Sequence, residues 1–472
     1  MKTLTNRHIH FIGIKGSGCT ALAELLTVNN TITGSDTAQK FYTDKILDKL
    51  KIPYNEGFTA ANIPTNTDLV IYSGAYNQSN PEYAAALNKF KLNDTMLSYP
   101  QALGLLSAGY PQAVAVAGVH GKTTTTALIG HLVKGLNLKM DVLAGSAVSS
   151  FDGGSSYSGG CEAFIAETCE YRRHFLNFKA SHLVITAIEH DHQDYYPSYQ
   201  DIEAAFTELA LQLPPGGTLI YCADDVGASQ VATLVSKQRS DLIVIPYGFT
   251  ADNNFKIESC HSQDEQLIFK LKLFAQPLAL PLAGRHNSLN TAAALAVLFS
   301  LNNNLEFTKI KELLANFTGV KRRGEVIAKI NNLIIMDDYA HHPTAIKATL
   351  TGLKQFYPNR RLVVSFMSHT YSRTAALFND FAASFNAADV LLLHKIFASA
   401  REKNSGGIDG KALSIEAKKH HKNVHYYEEP LDEKCLDFLL NNLTGGDLFI
   451  TLGAGDNFKL AETLAQQLKE RT

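Results

Sequence analysis

The sequence of 472 residues predicts an α/β protein of three domains built on mostly parallel sheets. Three observations predict it. The chain is longer than one hydrophobic core usually organises. Short apolar runs alternate along it with stretches of helical periodicity, the pattern of parallel strands covered on both faces by helices. Two of those runs end in glycine-rich turns that open helices, one near residue 13 and one at residue 118.

The first apolar run, HFIGI at 10–14, leads into Gly13, Gly16 and Gly18 and then a helical stretch from 19 to 28. A dinucleotide fingerprint places glycine at its first, third and sixth positions, and here the third is Lys15. The turn therefore reads either as a nucleotide-diphosphate site or as a tight structural turn, with Asp36 placed where an acid reaches a ribose. A strand at 68–73 and a helix at 81–89 complete a small domain ending near Ser107.

The run AVAVA at 113–117 ends in GVHGKTTT at 118–125. Strand, glycine turn and helix N-terminus in this order make a phosphate cradle. Glycines let backbone N–H groups close on phosphate oxygens, the helix N-terminus adds partial positive charge, and Lys122 supplies a full one. The hydroxyl of Thr123 directly follows the lysine, where it can ligate Mg²⁺. The usual loop has a glycine where this chain has Ala115, so a shorter variant is expected.

Strands at 163–167 and 182–189 follow, ending in Glu167 and in Glu189, Asp191 and His192. At the carboxyl ends of parallel strands these groups should converge near the loop. They read either as holders of a divalent cation or as a helix cap and a loop histidine. Residues 149–160 read as a flexible glycine-serine loop. Alternation from 254 to 281, with a polar break at 261–265, predicts an antiparallel hairpin appended to the sheet. His286, Asn287 and Asn290 then precede and enter an alanine-rich helix, and a helix at 309–316 closes the domain. KRR at 321–323 marks the next boundary. Beyond it strands at 332–338, 361–366, 390–394 and 447–452 define a third α/β domain.

The net charge of −2 gives no general attraction to nucleic acid or anionic membrane, which leaves small molecules as the expected partners. Six cysteines without a C-x-x-C pair read as reduced, mostly buried thiols. With no apolar signal core and no run of 18 apolar residues, a cytoplasmic protein is expected.

Five stretches, the turn from Gly13, the loop from Gly118, residues 167–176, DDYAHHP at 337–343 and SHTYSRT at 368–374, resemble the Mur ligases of bacterial cell-wall synthesis, on their alanine-adding branch. The likeness runs from His8 to the C-terminal helix. It implies an N-terminal Rossmann-like UDP-binding domain (1–107), a central P-loop-type ATPase domain (108–318) and a C-terminal Rossmann-like domain for the amino acid (319–472). The implied reaction activates the lactyl carboxylate of UDP-N-acetylmuramate with ATP as an acyl phosphate, from which the amine of L-alanine displaces phosphate. ATP is then co-substrate and Mg²⁺ the cofactor, in a monomer or weak homodimer.

Residue by residue, the resemblance places Lys122, Arg323 and His341 in catalysis. It places Gly118, His120, Gly121, Lys122, Thr123, Thr124, His286, Asn287, Asn290, Arg323 and Asp338 around ATP. Thr123, Glu167 and His192 hold the metal; Gly13, Gly16, Ser17, Gly18, Asp36 and Ser73 hold the UDP-sugar; Tyr339, His341, His369 and Arg373 surround the amino acid. Departures from the family pattern are Lys15, Ala187 in place of asparagine, Met367-Ser368 before His369, and Ala345. The competing readings are a recycling ligase that joins the same sugar nucleotide to a tripeptide, and a non-catalytic nucleotide-binding regulator. A nicotinamide oxidoreductase would leave the second glycine loop unexplained.

Overall fold

A computed structural model describes residues 4–302, 304–398 and 407–471. Strands β1 (His8–Ile12), β2 (Thr31–Asp36), β3 (Tyr54–Glu56), β4 (Leu69–Tyr72) and β5 (Met96–Ser98) form a wholly parallel sheet in the order β3-β2-β1-β4-β5. The order reverses between β1 and β4, which opens a crevice beyond their carboxyl ends. Gly13 and Ser73, the residues directly after β1 and β4, face each other across it.

The second sheet contains β6 (Gln112–Ala117), β7 (Met140–Leu143), β8 (Ser156–Ser158), β9 (Ala163–Glu167), β10 (His182–Ile185), β11 (Thr218–Cys222) and β12 (Ile243–Tyr247), ordered β12-β11-β10-β6-β9-β7-β8. Only β8 runs antiparallel to its neighbour. β6 is central, flanked by β9 and β10, and its residues 113–117 are buried, as a strand covered by helices on both faces must be. That arrangement brings the ends of three strands to one place.

Two readings of this domain need correction. Residues 149–160 are not simply a loop: they contain a single helical turn, Ser149–Phe151, and β8. The amides of Ser155 and Ser156 donate to the Glu24 carboxylate, both at 2.8 Å, tying this segment to the first domain's helix Ser17–Leu26. The appended hairpin is a separate antiparallel sheet of β13 (Ile257–Gln263), β14 (Gln266–Leu271) and β15 (Leu278–Leu280). His261 to Gln263 belong to β13, and the turn is only Asp264-Glu265, both left-handed at φ +50° and +53°. Polar residues there occupy the solvent side of a strand, so they resemble a break.

The third sheet is β16 (Glu325–Ile330), β17 (Leu333–Asp338), β18 (Arg361–Phe366), β19 (Val390–Leu393), β20 (Val424–Tyr426) and β21 (Asp447–Leu452), ordered β16-β17-β21-β18-β19-β20. β16 is antiparallel to β17 and the rest are parallel. Cys19, Cys222 and Cys435 are buried, Cys260 is half-buried and Cys161 and Cys169 are exposed, so the expectation of mostly buried thiols holds for half of them. Among the described residues no helix is long and apolar enough to cross a membrane.

Candidate active site

The loop after β6 is shaped by contacts that only glycine permits. Gly118 has φ +138°, and a Cβ there would lie 2.0 Å from the Thr186 hydroxyl. Gly121 has φ +82°, and a Cβ there would lie 2.6 Å from Asn290 Oδ1. Thr186, at the end of β10, reaches the carbonyl of Ala117 at 3.1 Å and also that of His120. Val119 donates its amide to the Ala187 carbonyl at 2.9 Å, so the position where an asparagine side chain was expected works through its backbone. Replacing Gly121 by alanine combines about 1–3 kcal/mol of left-handed strain with displacement of Asn290. Expected are a lower melting temperature and a raised KM for ATP. Gly216→Ala, at φ +73° with nothing within 4 Å, should lower the melting temperature alone.

Helix Lys122–Gly135 starts directly from this loop. The Lys122 ammonium donates to Glu170 Oε2 at 2.9 Å and to the Gly118 carbonyl. Glu170 Oε1 lies 3.2 Å from His192 Nε2, and Tyr196 donates its hydroxyl to the Glu170 carbonyl at 2.6 Å. Burial alone would raise the Glu170 pKa, but the Lys122 charge and the His192 contact outweigh it and push it down to about 2. Glu170 is thus an anion at neutral pH that bridges the cradle's lysine to the expected metal-site histidine. The expected site did not include it. The signal was present, a second carboxylate three residues past Glu167 in the turn that leaves β9.

Glu167 itself ends β9, opposite Val116 of β6. Its Oε2 is buried without a hydrogen-bond partner, a costly state for a carboxylate. A hard divalent cation takes oxygen ligands, and Thr123, in the first turn of the helix that follows the cradle, supplies a further oxygen. These residues fit Mg²⁺.

The three cations at the third domain's threshold have three different partners. Lys321 lies 3.8 Å from Glu325 and 3.6 Å from Glu462. Arg322 pairs with buried Asp337 at 3.0 Å and donates to the Gly455 carbonyl at 3.1 Å. Arg323 alone turns back to the cradle, donating to the Thr123 hydroxyl at 3.3 Å with its guanidinium 4.8 Å from the Tyr339 ring centre. Asp338 sets that direction, accepting the amides of Gly324 at 2.6 Å and Ala340 at 2.8 Å.

The asparagines form a brace. Asn287 donates to the Ala283 carbonyl at 2.7 Å, Asn290 donates to Asn287 at 3.0 Å, and Thr125 reaches Asn290 Oδ1 at 3.4 Å. In this structure their side chains support the cradle from behind. His286 stands at the start of the same helix, where burial lowers its pKa to about 4.

Arg373 is buried and makes a two-pronged pair with buried Asp191, Nε to Oδ1 at 3.0 Å and Nη2 to Oδ2 at 3.2 Å. Its Nη1 donates to the His369 carbonyl at 3.1 Å. Burial works to raise the Asp191 pKa, but Arg373, His192 and His341 hold it well below the usual carboxylate range. The His369 ring stacks on Phe397 at 5.9 Å. His341 Nδ1 lies 2.9 Å from the Tyr339 carbonyl, and burial together with the Arg373 charge keeps its pKa well below the ordinary histidine value. Neutral, with Nδ1–H donating to that carbonyl, the ring leaves Nε2 as an acceptor.

In the first domain, Gly13 (φ +88°) packs against Tyr76 and Ser73, and the helix Ser17–Leu26 opens at Gly16 without a side-chain cap. Asp36 is occupied: it accepts the amides of Lys15 and Thr37, both at 2.7 Å, and the Tyr76 hydroxyl at 3.0 Å. It organises the turn in this structure instead of presenting a free carboxylate. The Lys15 side chain is buried under the next loop, donating to the Thr37 carbonyl at 2.9 Å and the Gln39 carbonyl at 3.2 Å. It points away from the glycines, so the missing glycine does not block the turn.

Fold and site together define a class: a three-domain α/β protein whose nucleotide loop is completed by groups from its third domain. Residues 8–110 match the Mur ligase family catalytic domain, 116–298 the Mur ligase middle domain and 322–455 the Mur ligase glutamate ligase domain. The chain belongs to the Mur ligase family. It is 46% identical to the UDP-N-acetylmuramate--L-alanine ligase of Treponema pallidum (strain Nichols), over 99% of this chain and 98% of that one. It is 39% identical to the enzyme of the same name from Borreliella burgdorferi, over 97% and 98%. The solved structure of UDP-N-acetylmuramate-alanine ligase from Thermotoga maritima shares its fold, with a TM-score of 0.78 at 24% identity over 99% of this chain and 100% of that one.

Proposed function

We propose that this chain joins L-alanine to the lactyl carboxylate of UDP-N-acetylmuramate, converting ATP to ADP and phosphate, in the synthesis of peptidoglycan precursors in the cytoplasm. The observation that carries the reading is the meeting of Lys122, Glu170, His192 and Thr123 of the central domain with Arg323 of the third around one phosphate cradle. In this reading the protein acts as a monomer or weak homodimer. The domains 1–107, 108–318 and 319–472 hold the UDP end, ATP and the amino acid.

A carboxylate is a poor electrophile. Phosphorylation gives it a leaving group, and the protein's work is positioning and charge neutralisation. The cradle amides, Gly118 through Thr124, and Lys122 hold the ATP phosphates while the lactyl carboxylate oxygen attacks the γ-phosphorus and the bond from that phosphorus to the β–γ bridging oxygen breaks, its electron pair leaving on ADP. Arg323 neutralises charge on the transferring group. Thr123 and Glu167, with Glu170 and His192 beside them, would hold Mg²⁺, which supplies Lewis-acid neutralisation of phosphate charge when bound. His120, His286, Asn287, Asn290 and Asp338 shape and brace the ATP pocket. Gly13, Gly16, Ser17, Gly18 and Ser73 receive the diphosphate, with Asp36 fixing their turn.

In the second half-reaction Arg373 takes the alanine carboxylate, and Tyr339 and His369 line the pocket. His341 Nε2 accepts a proton from the α-ammonium. The amine nitrogen then attacks the acyl carbon, the C–O bond to phosphate breaks with its electron pair leaving on phosphate, and the nitrogen's surplus proton passes to the departing phosphate. Closure of the third domain excludes water, which would otherwise hydrolyse the acyl phosphate.

The test is ADP release by the purified protein with ATP, Mg²⁺ and UDP-N-acetylmuramate, offered L-alanine or L-Ala-γ-D-Glu-meso-diaminopimelate. Stimulation by alanine alone is expected. Stimulation by the tripeptide instead would move the chain to the recycling activity, and silence with both would overturn the ligase reading.

A further inference from the structure

Beside the phosphate cradle lies a second cluster, of which the ligase chemistry uses only His120. His120 projects from the cradle itself, Glu189 follows β10, and His342 caps the third domain's helix Pro343–Phe356. One ligand atom from each lies within 4.8 Å of the others. The contacts centre on one carboxylate oxygen: Glu189 Oε2 is 3.2 Å from His120 Nε2 and 3.3 Å from His342 Nδ1. Bonds of ~2.0–2.1 Å to a tetrahedral ion separate neighbouring donor atoms by roughly 3.3 Å. Two edges of such a tetrahedron are therefore already in place.

The hydrogen bonding of His342 points the same way. The ring is buried, its Nε2 has no partner, and the Thr344 amide donates to its Nδ1 at 3.4 Å. His342 Nδ1 lies slightly nearer the Glu189 oxygen, at 3.3 Å, than the Thr344 amide, so with its proton on Nε2 the ring offers Nδ1 to a cation that the same carboxylate holds.

We propose that His120, Glu189 and His342 form a site for a borderline transition-metal ion of the Zn²⁺ class, separate from the Mg²⁺ site at Thr123 and Glu167. Two imidazoles and one carboxylate are the donor set of such ions, whereas Mg²⁺ prefers oxygen. The ion would join the cradle to the third domain, two bodies that must separate for product to leave. It also engages the loop histidine that faces the nucleotide.

The test uses the full chain in excess Mg²⁺, titrated with Co²⁺ as a spectroscopic stand-in for Zn²⁺, without substrates and so independently of the ligase reading. Expected are visible bands of four- or five-coordinate Co²⁺ saturating at one ion per chain. His342→Gln and Glu189→Gln should each weaken binding by at least about 100-fold, since loss of a direct ligand costs no less than loss of a supporting group. His192→Gln should leave the bands in place. Far-UV circular dichroism reports folding of each variant, and the two ligand substitutions lie in different domains, so one folded variant suffices. Absence of the bands, or their loss in His192→Gln with retention in a folded His342→Gln or Glu189→Gln, would overturn the proposal.

Discussion

Lys122→Ala should reduce ADP formation by at least about 10³-fold, the upper range for removing one preorganised charge-stabilising group from a reacting centre. The same change should destabilise the protein, for a reason the sequence does not display. Lys122 is the counter-ion of Glu170, whose side chain is only 5% exposed. Removing one partner of such a pair leaves an uncompensated buried charge and costs about 3–5 kcal/mol. The two effects separate in the double variant Lys122→Ala/Glu170→Gln, where no charge is left unpaired. Its melting temperature should recover most of the loss, and ADP formation should stay absent. Recovery of ADP formation in the double variant would show that Lys122 serves only to neutralise Glu170.

The cradle was legible because its residue types have few other uses: two glycines three residues apart, the second followed by lysine and a hydroxyl, after an apolar strand fit little besides a phosphate. The three-domain α/β order was legible for a similar reason, since buried parallel strands read as unbroken apolar runs. What escaped was whatever depends on partners distant in sequence. Glu170 meets Lys122 across 48 residues, and Asp191 meets Arg373 across 182. The hydrogen bonds of Asn290 to Asn287 and of Thr125 to Asn290, the latter across 165 residues, were equally invisible in the spacing. Short edge strands were the other loss. β20 has three residues and β8 three, too few for a period to register. β16, EVIAKI, leads into the left-handed pair Asn331-Asn332, a two-residue hairpin turn whose second residue was read as the start of the next strand.

Arg373→Ala should raise the KM for L-alanine by roughly 100-fold, from about 3 kcal/mol for a charged two-pronged contact with a carboxylate. The KM for ATP should change little. A general loss of packing would also weaken alanine binding, so discrimination is the sharper readout. The wild-type protein should strongly prefer alanine to alaninamide, which lacks the carboxylate, and Arg373→Ala should use the two almost equally poorly. Preference retained in the variant would remove Arg373 from carboxylate recognition. The guanidinium is already paired with Asp191 in this structure, so alanine must exchange for that carboxylate. The exchange places an anion beside the incoming α-ammonium, and one ion pair becomes two across a zwitterion. Asp191 is an acid whose folded pKa lies below its usual 3.8, so the pair's stabilising contribution is complete above that value and fades only as pH falls below it. The pair therefore stays charged throughout the neutral range, and any neutral-pH dependence of the alanine KM must come from a group outside it.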